Sequence, residues 1–219
     1  MNRFRALLLS LPMAIFGAAP LSSHPHVFID AGVNLLFDDQ GAFAGVRVFW
    51  AYDELYSLLL IEDNGLDQDG DGTPEDAALA AFAGLDVDWA AGFPGDLYVT
   101  QGGQPVDLAG PVEHGLRYED GRLVTWHIRP LKTRINVGAT PVSVQVYDPS
   151  FFVAYDMRLP ISVEGREDCK IDHLPADLAA AYDKVESLLY GPDSLEYDED
   201  SYPEVGDLFA DELRLTCSG

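Results

Sequence analysis

Residues 27–52 decide the fold: VFIDAGVNLLF at 27–37, the turn DDQGA at 38–42, and FAGVRVFWAY at 43–52. Both flanking runs are rich in β-branched and aromatic residues and alternate loosely, the pattern of half-buried strands joined by a short polar turn. They predict an antiparallel pair at the start of a β-rich domain. Asp53 then stands where a helix needs a cap, and Leu55, Leu58 and Leu59 fall on one face of the short helix that follows. Ala77 to Phe82 reads as a second helix, stopped by Gly84.

Further along, DLYVTQGGQPVDL and LRYEDGRLVTWHIRPL read as hairpins turning at Gly102-Gly103 and Asp120-Gly121. PVSVQVYDPSFFVAYDMRLPISV supplies two more strands around Asp148-Pro149. Pro175 opens a helix whose Leu178, Tyr182, Val185 and Leu189 form an amphipathic stripe, and Gly191-Pro192 ends it. Residues 193–204 are an acidic, loop-like connection, and VGDLFADELRLTCSG returns as strand or helix. The expected class is α+β: mainly antiparallel sheet built of hairpins, a few packed helices, one domain.

The 219 residues carry 13 basic against 37 acidic side chains, a formal net charge of −24. Such a chain repels phosphate backbones and anionic membrane surfaces, which excludes nucleic acid as a partner and favours cations. With 47% hydrophobic and 23% charged residues it has the composition of a globular protein, not of a disordered one.

The N-terminus reads as a targeting segment. Arg3 and Arg5 precede the apolar run Ala6 to Ala19, and small residues follow. A run of that length is too short to span a bilayer as a helix and matches a secretory signal over residues 1–23. Cleavage after Ser23 would leave His24 first; cleavage after Ala19 would leave Pro20. Residues 24–219 are then expected to form a single periplasmic domain with no membrane insertion. In an oxidising compartment the only two cysteines, Cys169 and Cys217, pair by default and tie down the acidic C-terminal segment. Closing a loop of about 50 residues contributes on the order of 4 kcal/mol in the chain-entropy account.

Two constellations point to metal chemistry. In His24-Pro25-His26 the imidazoles lie at i and i+2 of an extended segment and share one side. Neutral imidazole suits nickel, cobalt, zinc or copper. His127 and Asp148 are the expected completing ligands, with His114 and His173 as weaker ones. The second constellation, Asp67-Gln68-Asp69-Gly70-Asp71-Gly72, is the first half of an EF-hand-type calcium loop. Position twelve is Ala78 rather than Glu, so Glu75 or Asp76 would have to fold back as the closing ligand. No nucleophilic motif stands out, and the reading is of a binding protein, not an enzyme. Tyr52, Glu54 and Tyr56 at the first helix start could face a pocket, and packing is the reading preferred for them.

HPHVFIDAGV, FWAYDELYSLLLIEDNGLDQDGDG, LDVDWAAGFPGDLYV, VQVYDPSFF and DLFADELRLTC together resemble a family of exported bacterial proteins of unknown function. That family is labelled the periplasmic component of an uncharacterised ABC-type transport system and is often encoded beside nickel/cobalt-type transporters. The resemblance implies a periplasmic accessory that handles a divalent transition metal (nickel, cobalt or zinc) for a membrane transporter, with His24, His26 and Asp148 at its motif positions. The alternatives are a calcium-braced module that docks on a transporter without metal cargo, and a histidine-brace copper enzyme that requires His24 as the processed N-terminus.

Overall fold

A computed structural model describes residues 25–192 and 203–218. The segment 1–23 expected to be a signal, His24 and most of the acidic connection lie outside the described residues. Strands β1 (Val27–Phe37) and β2 (Phe43–Tyr52) pair antiparallel from Ile29↔Tyr52 to Phe37↔Phe43. Their turn is held by Asp38, whose Oδ1 accepts from the backbone N–H groups of Gln40 and Ala42. Helix α1 (Glu54–Asp63) follows at once, and α2 (Asp76–Phe82) comes after the acidic loop. Then come β3 (Leu97–Gln101), β4 (Gln104–Pro105), β5 (Val112–Glu119) and β6 (Arg122–Ile135). The chain continues with β7 (Val142–Val146), β8 (Val153–Asp156), β9 (Ile161–Glu164), β10 (Cys169–Leu174), α3 (Leu178–Tyr190) and β11 (Glu212–Cys217).

Two sheets enclose a shared core. One runs β5-β6-β2-β1-β8, with β9 also on β1; the other runs β10-β11-β7-β3-β4. Trp50, Val33, Leu35, Phe43 and Leu123 from the first sheet and Val142, Val144, Leu213 and Leu215 from the second are buried in one apolar cluster. The α+β class with mainly antiparallel strands is as the sequence predicts. The two expected hairpin turns form where glycine or aspartate accepts positive φ, with Gly102 at +58°, Gly103 at +77°, Asp120 at +52° and Gly121 at +81°.

Three features go beyond the local reading. β7 and β8, which flank Asp148-Pro149, do not pair with each other: β7 lies between β11 and β3, whereas β8 lies parallel to β1. β9 is also parallel to β1, so the edge beside β1 is not a hairpin meander. The C-terminal segment is both a short 3₁₀ turn (Gly206–Phe209) and β11, which is an inner strand of its sheet rather than an appendage.

Cys169 and Cys217 stand opposite each other in the β10–β11 ladder and are disulfide-bonded. Such a bond persists in an oxidising compartment. Among the described residues no helix is long and apolar enough to cross a membrane.

Candidate metal centre

The acidic loop is built by its own backbone. Leu66 is buried in the core, its N–H donates to the Ile61 carbonyl, and its carbonyl accepts from the Glu75 N–H, so the loop is pinned at both ends. Between those pins Asp67 Oδ1 accepts from the Gly70 N–H and Oδ2 from the Gly72 N–H, each at 2.9 Å. Asp69 accepts from the Asp71 N–H at 3.1 Å, and Asp71 from the Thr73 N–H at 2.9 Å. These turns need positive φ at Gly70 (+75°) and Gly72 (+89°), which glycine adopts without a Cβ clash.

The result is that ligand oxygens of Asp67, Asp69 and Asp71 all lie within 4.8 Å of one another, at a partly exposed rim. Each ionised carboxylate keeps acceptor capacity beyond its backbone bond. Hard oxygen donors converging on one loop suit calcium, which takes 6–8 oxygens including water in a flexible geometry.

Glu75 does fold back, but onto the backbone. Its two oxygens accept from the Gln68 N–H at 3.1 and 3.0 Å, and Oε1 also accepts from the Asp69 N–H at 3.3 Å. Asp76 sits in the first turn of α2. Of the five residues the sequence nominates for calcium, three converge and Glu75 buttresses the loop.

The nominated transition-metal ligands are distributed differently. Among the described residues no group of three or more histidine, cysteine or carboxylate side chains besides Asp67, Asp69 and Asp71 is close enough to share an ion, so His26, His127 and Asp148 are not brought together. His26 is exposed at the entrance to β1, its ring 4.8 Å from that of Phe152. Asp148 closes the turn after β7: its oxygens accept from the Ser150 N–H and Oγ and from the Val153 N–H. That is the work of a turn-forming aspartate. His114 lies on β5 rather than in a loop, and His173, on β10, pairs with Asp211 at 2.5 Å.

His127 on β6 is in the core, 3% exposed, with the Trp50 and Trp89 rings edge-on at 4.9 Å each and His114 at 6.2 Å. Burial, then the neighbouring Arg129 charge and His114, lower its pKa to about 3, so the ring is neutral. Its Nε2 is buried without a hydrogen-bond partner, as are Nε1 of both tryptophans and Oγ1 of Thr125, which pairs with Trp50 across β2 and β6. Arg129 is buried beside them and donates to the carbonyls of Pro94 and Ala109.

A second buried group escaped the sequence reading. Asp96, 3% exposed at φ +45°, accepts a 2.8 Å bond from the Tyr155 hydroxyl. Burial raises its pKa to about 7, the Tyr155 bond acting the other way and the Asp148 charge adding to the rise. Its only local signal is an aspartate directly before the apolar run LYV, since Tyr155 is 59 residues away. Tyr52 is buried in the core, and its hydroxyl donates to Asp86 at 2.8 Å.

The family described as a protein of unknown function (DUF1007) matches residues 9–217. The chain belongs to that family. No curated protein matches it. For this DUF1007 protein, function must therefore be argued from the site itself.

Proposed function

We propose that this is an exported, periplasmic interaction module braced by a divalent cation, with calcium held by Asp67, Asp69 and Asp71. The observation that carries the reading is the convergence of those three carboxylates within 4.8 Å on a loop anchored at both ends. The setting supports it: no Lys or Arg occurs between Arg47 and Arg117, so the loop and both flanking helices carry no cationic side chain of their own. A bound cation would relieve the repulsion of the triad and fix the geometry of α1 against α2. The disulfide and the N-terminal sequence support export, and the partner in this reading is a membrane transporter.

The test is a melting titration with calcium. A site of Kd about 10⁻⁴ M, in the range of extracellular modules, stabilises by about 2.7 kcal/mol at a hundredfold excess. For a chain of this size that raises Tm by roughly 5–11 °C. Asp67→Asn with Asp71→Asn should abolish the rise. A wild-type Tm indifferent to millimolar calcium would sink the reading.

A second reading keeps the transition metal (nickel, cobalt or zinc) as cargo for a transporter, with His24 and His26 as its capture point. The exposure of His26 at the chain's entry favours it. Loss of stoichiometric zinc or nickel binding on His24→Ala with His26→Ala would establish it.

A further inference from the structure

Helix α1 is apolar on both faces: Ile61, with Tyr56 and Leu60 beside it, packs on the core, and three further leucines face outward. Asp53 caps it, Oδ1 accepting from the Tyr56 N–H and Oδ2 from the Phe28 N–H of β1. Ser57 faces inward, fully buried, its Oγ donating to the Tyr52 carbonyl and accepting from the Leu123 N–H of β6. Ile61, one turn on, is buried too. With Ser57 and Ile61 fixed inward, the three leucines read from the sequence as one face are left in solvent: Leu55 is 68% exposed, Leu58 50% and Leu59 45%. A helix with apolar residues on both sides belongs between two bodies, and a contiguous exposed apolar stripe marks an interaction site.

We propose that the leucine face of α1, with the basin beside it, docks a polypeptide segment that is both apolar and basic. The identity of the occupant follows from the surroundings. Leu58 lines a concavity of about 610 Å³ together with Ile61, Tyr118, Glu54, Glu62 and Asp67, an apolar floor inside an acidic rim. No Lys or Arg between Arg47 and Arg117 offsets that rim. The two arginines next in the chain to the lining residues Tyr118 and Gly121 are spoken for, Arg117 by Glu119 and Arg122 by Asp30 and the carbonyls of Ala51 and Tyr52. Lysines or arginines flanking apolar side chains therefore complement the surface. A second copy of the chain would lay acid on acid, and the chain's own DSLEYDEDSY at 193–202 would do the same. The proposal rests on the cation-braced reading in that Asp67 belongs both to the loop triad and to the basin wall.

The test uses the full mature chain in millimolar calcium and a synthetic amphipathic helix of leucine and lysine, with its leucine–glutamate counterpart as control. At about 0.15 M salt, charges beyond roughly 8 Å are screened, so global acidity alone attracts the peptide weakly. The decisive variant is Leu55→Gln, Leu58→Gln and Leu59→Gln together, which leaves the net charge unchanged; Leu58→Gln alone serves if the triple variant melts early. Expected are one-to-one binding of the leucine–lysine peptide, at least tenfold weaker binding to the triple variant, and none of the acidic peptide. Equal binding by wild type and variant would overturn the proposal, as would a wild-type dimer that the variant abolishes, which would make the face a self-interface. Failure of the calcium reading shows separately, as a Tm unmoved by calcium whatever the peptide does.

Discussion

Replacing Asp96 by asparagine should stabilise the protein at neutral pH, and by an amount that grows with pH. Asp96 is buried at the start of β3, at φ +45°, a conformation asparagine tolerates, and the amide oxygen can still accept from the Tyr155 hydroxyl. What the variant removes is a carboxyl whose pKa is raised from 3.8 to about 7, chiefly by burial. In the unfolded chain this group ionises near 3.8; in the folded protein it holds its proton to about 7. Its stabilising contribution is therefore fully present below about pH 4, falls as pH rises toward 7, and is gone above that. At 1.36 kcal/mol for each tenfold change in proton affinity, the rise from 3.8 to about 7 gives about 4 kcal/mol over the window. Urea unfolding of both proteins at pH 4, 6 and 8 isolates the effect, because every other titrating group is common to the pair. The stability of Asp96→Asn minus that of wild type should climb by about 4 kcal/mol from pH 4 to pH 8. A difference that stays flat within about 1 kcal/mol would refute the reasoning and mean that Asp96 ionises in contact with water.

Three further outcomes are expected. Cys169→Ser with Cys217→Ser should lower stability by about 4 kcal/mol and Tm by roughly 8–16 °C, since the bond closes a separation of 48 residues; a shift under about 3 °C would contradict the chain-entropy account. By proton NMR the His127 ring should show no titration above about pH 4, its pKa being held near 3 by burial and the Arg129 charge; a midpoint near 6 would mean that the ring is open to water. Gly206→Ala should cost at least about 2 kcal/mol by denaturant unfolding, because an added Cβ would lie 1.8 Å from the Asp148 carbonyl oxygen, backbone that has little room to move.

The sequence by itself determined what short-range rules govern. β1 and β2 follow from alternation, the two tight turns from Gly102-Gly103 and Asp120-Gly121, and the start of α1 from Asp53, each a matter of a few neighbouring residues. The acidic loop was legible for the same reason: aspartates on alternate residues and two glycines set their own geometry, and the backbone bonds of Asp67 and Asp71 span no more than five residues. Cysteine number alone gave the disulfide partners.

Only the tertiary structure decided the rest, because the deciding contacts join residues far apart in the chain. Asp148 has the same local sequence whatever its role, and it is the split of β7 and β8 between two sheets that sets its carboxylate against the Ser150 and Val153 N–H groups. His127 alternates correctly on β6, yet its burial depends on Trp50 and Trp89 arriving from β2 and a separate 3₁₀ turn. The leucines of α1 share one face by spacing, and the bond from the Leu123 N–H to Ser57, 66 residues apart, fixes the opposite face inward and leaves them in solvent. A periodic pattern says which residues share a face. Which way that face points is set by whatever the opposite face can bond to, and that partner lies elsewhere in the chain.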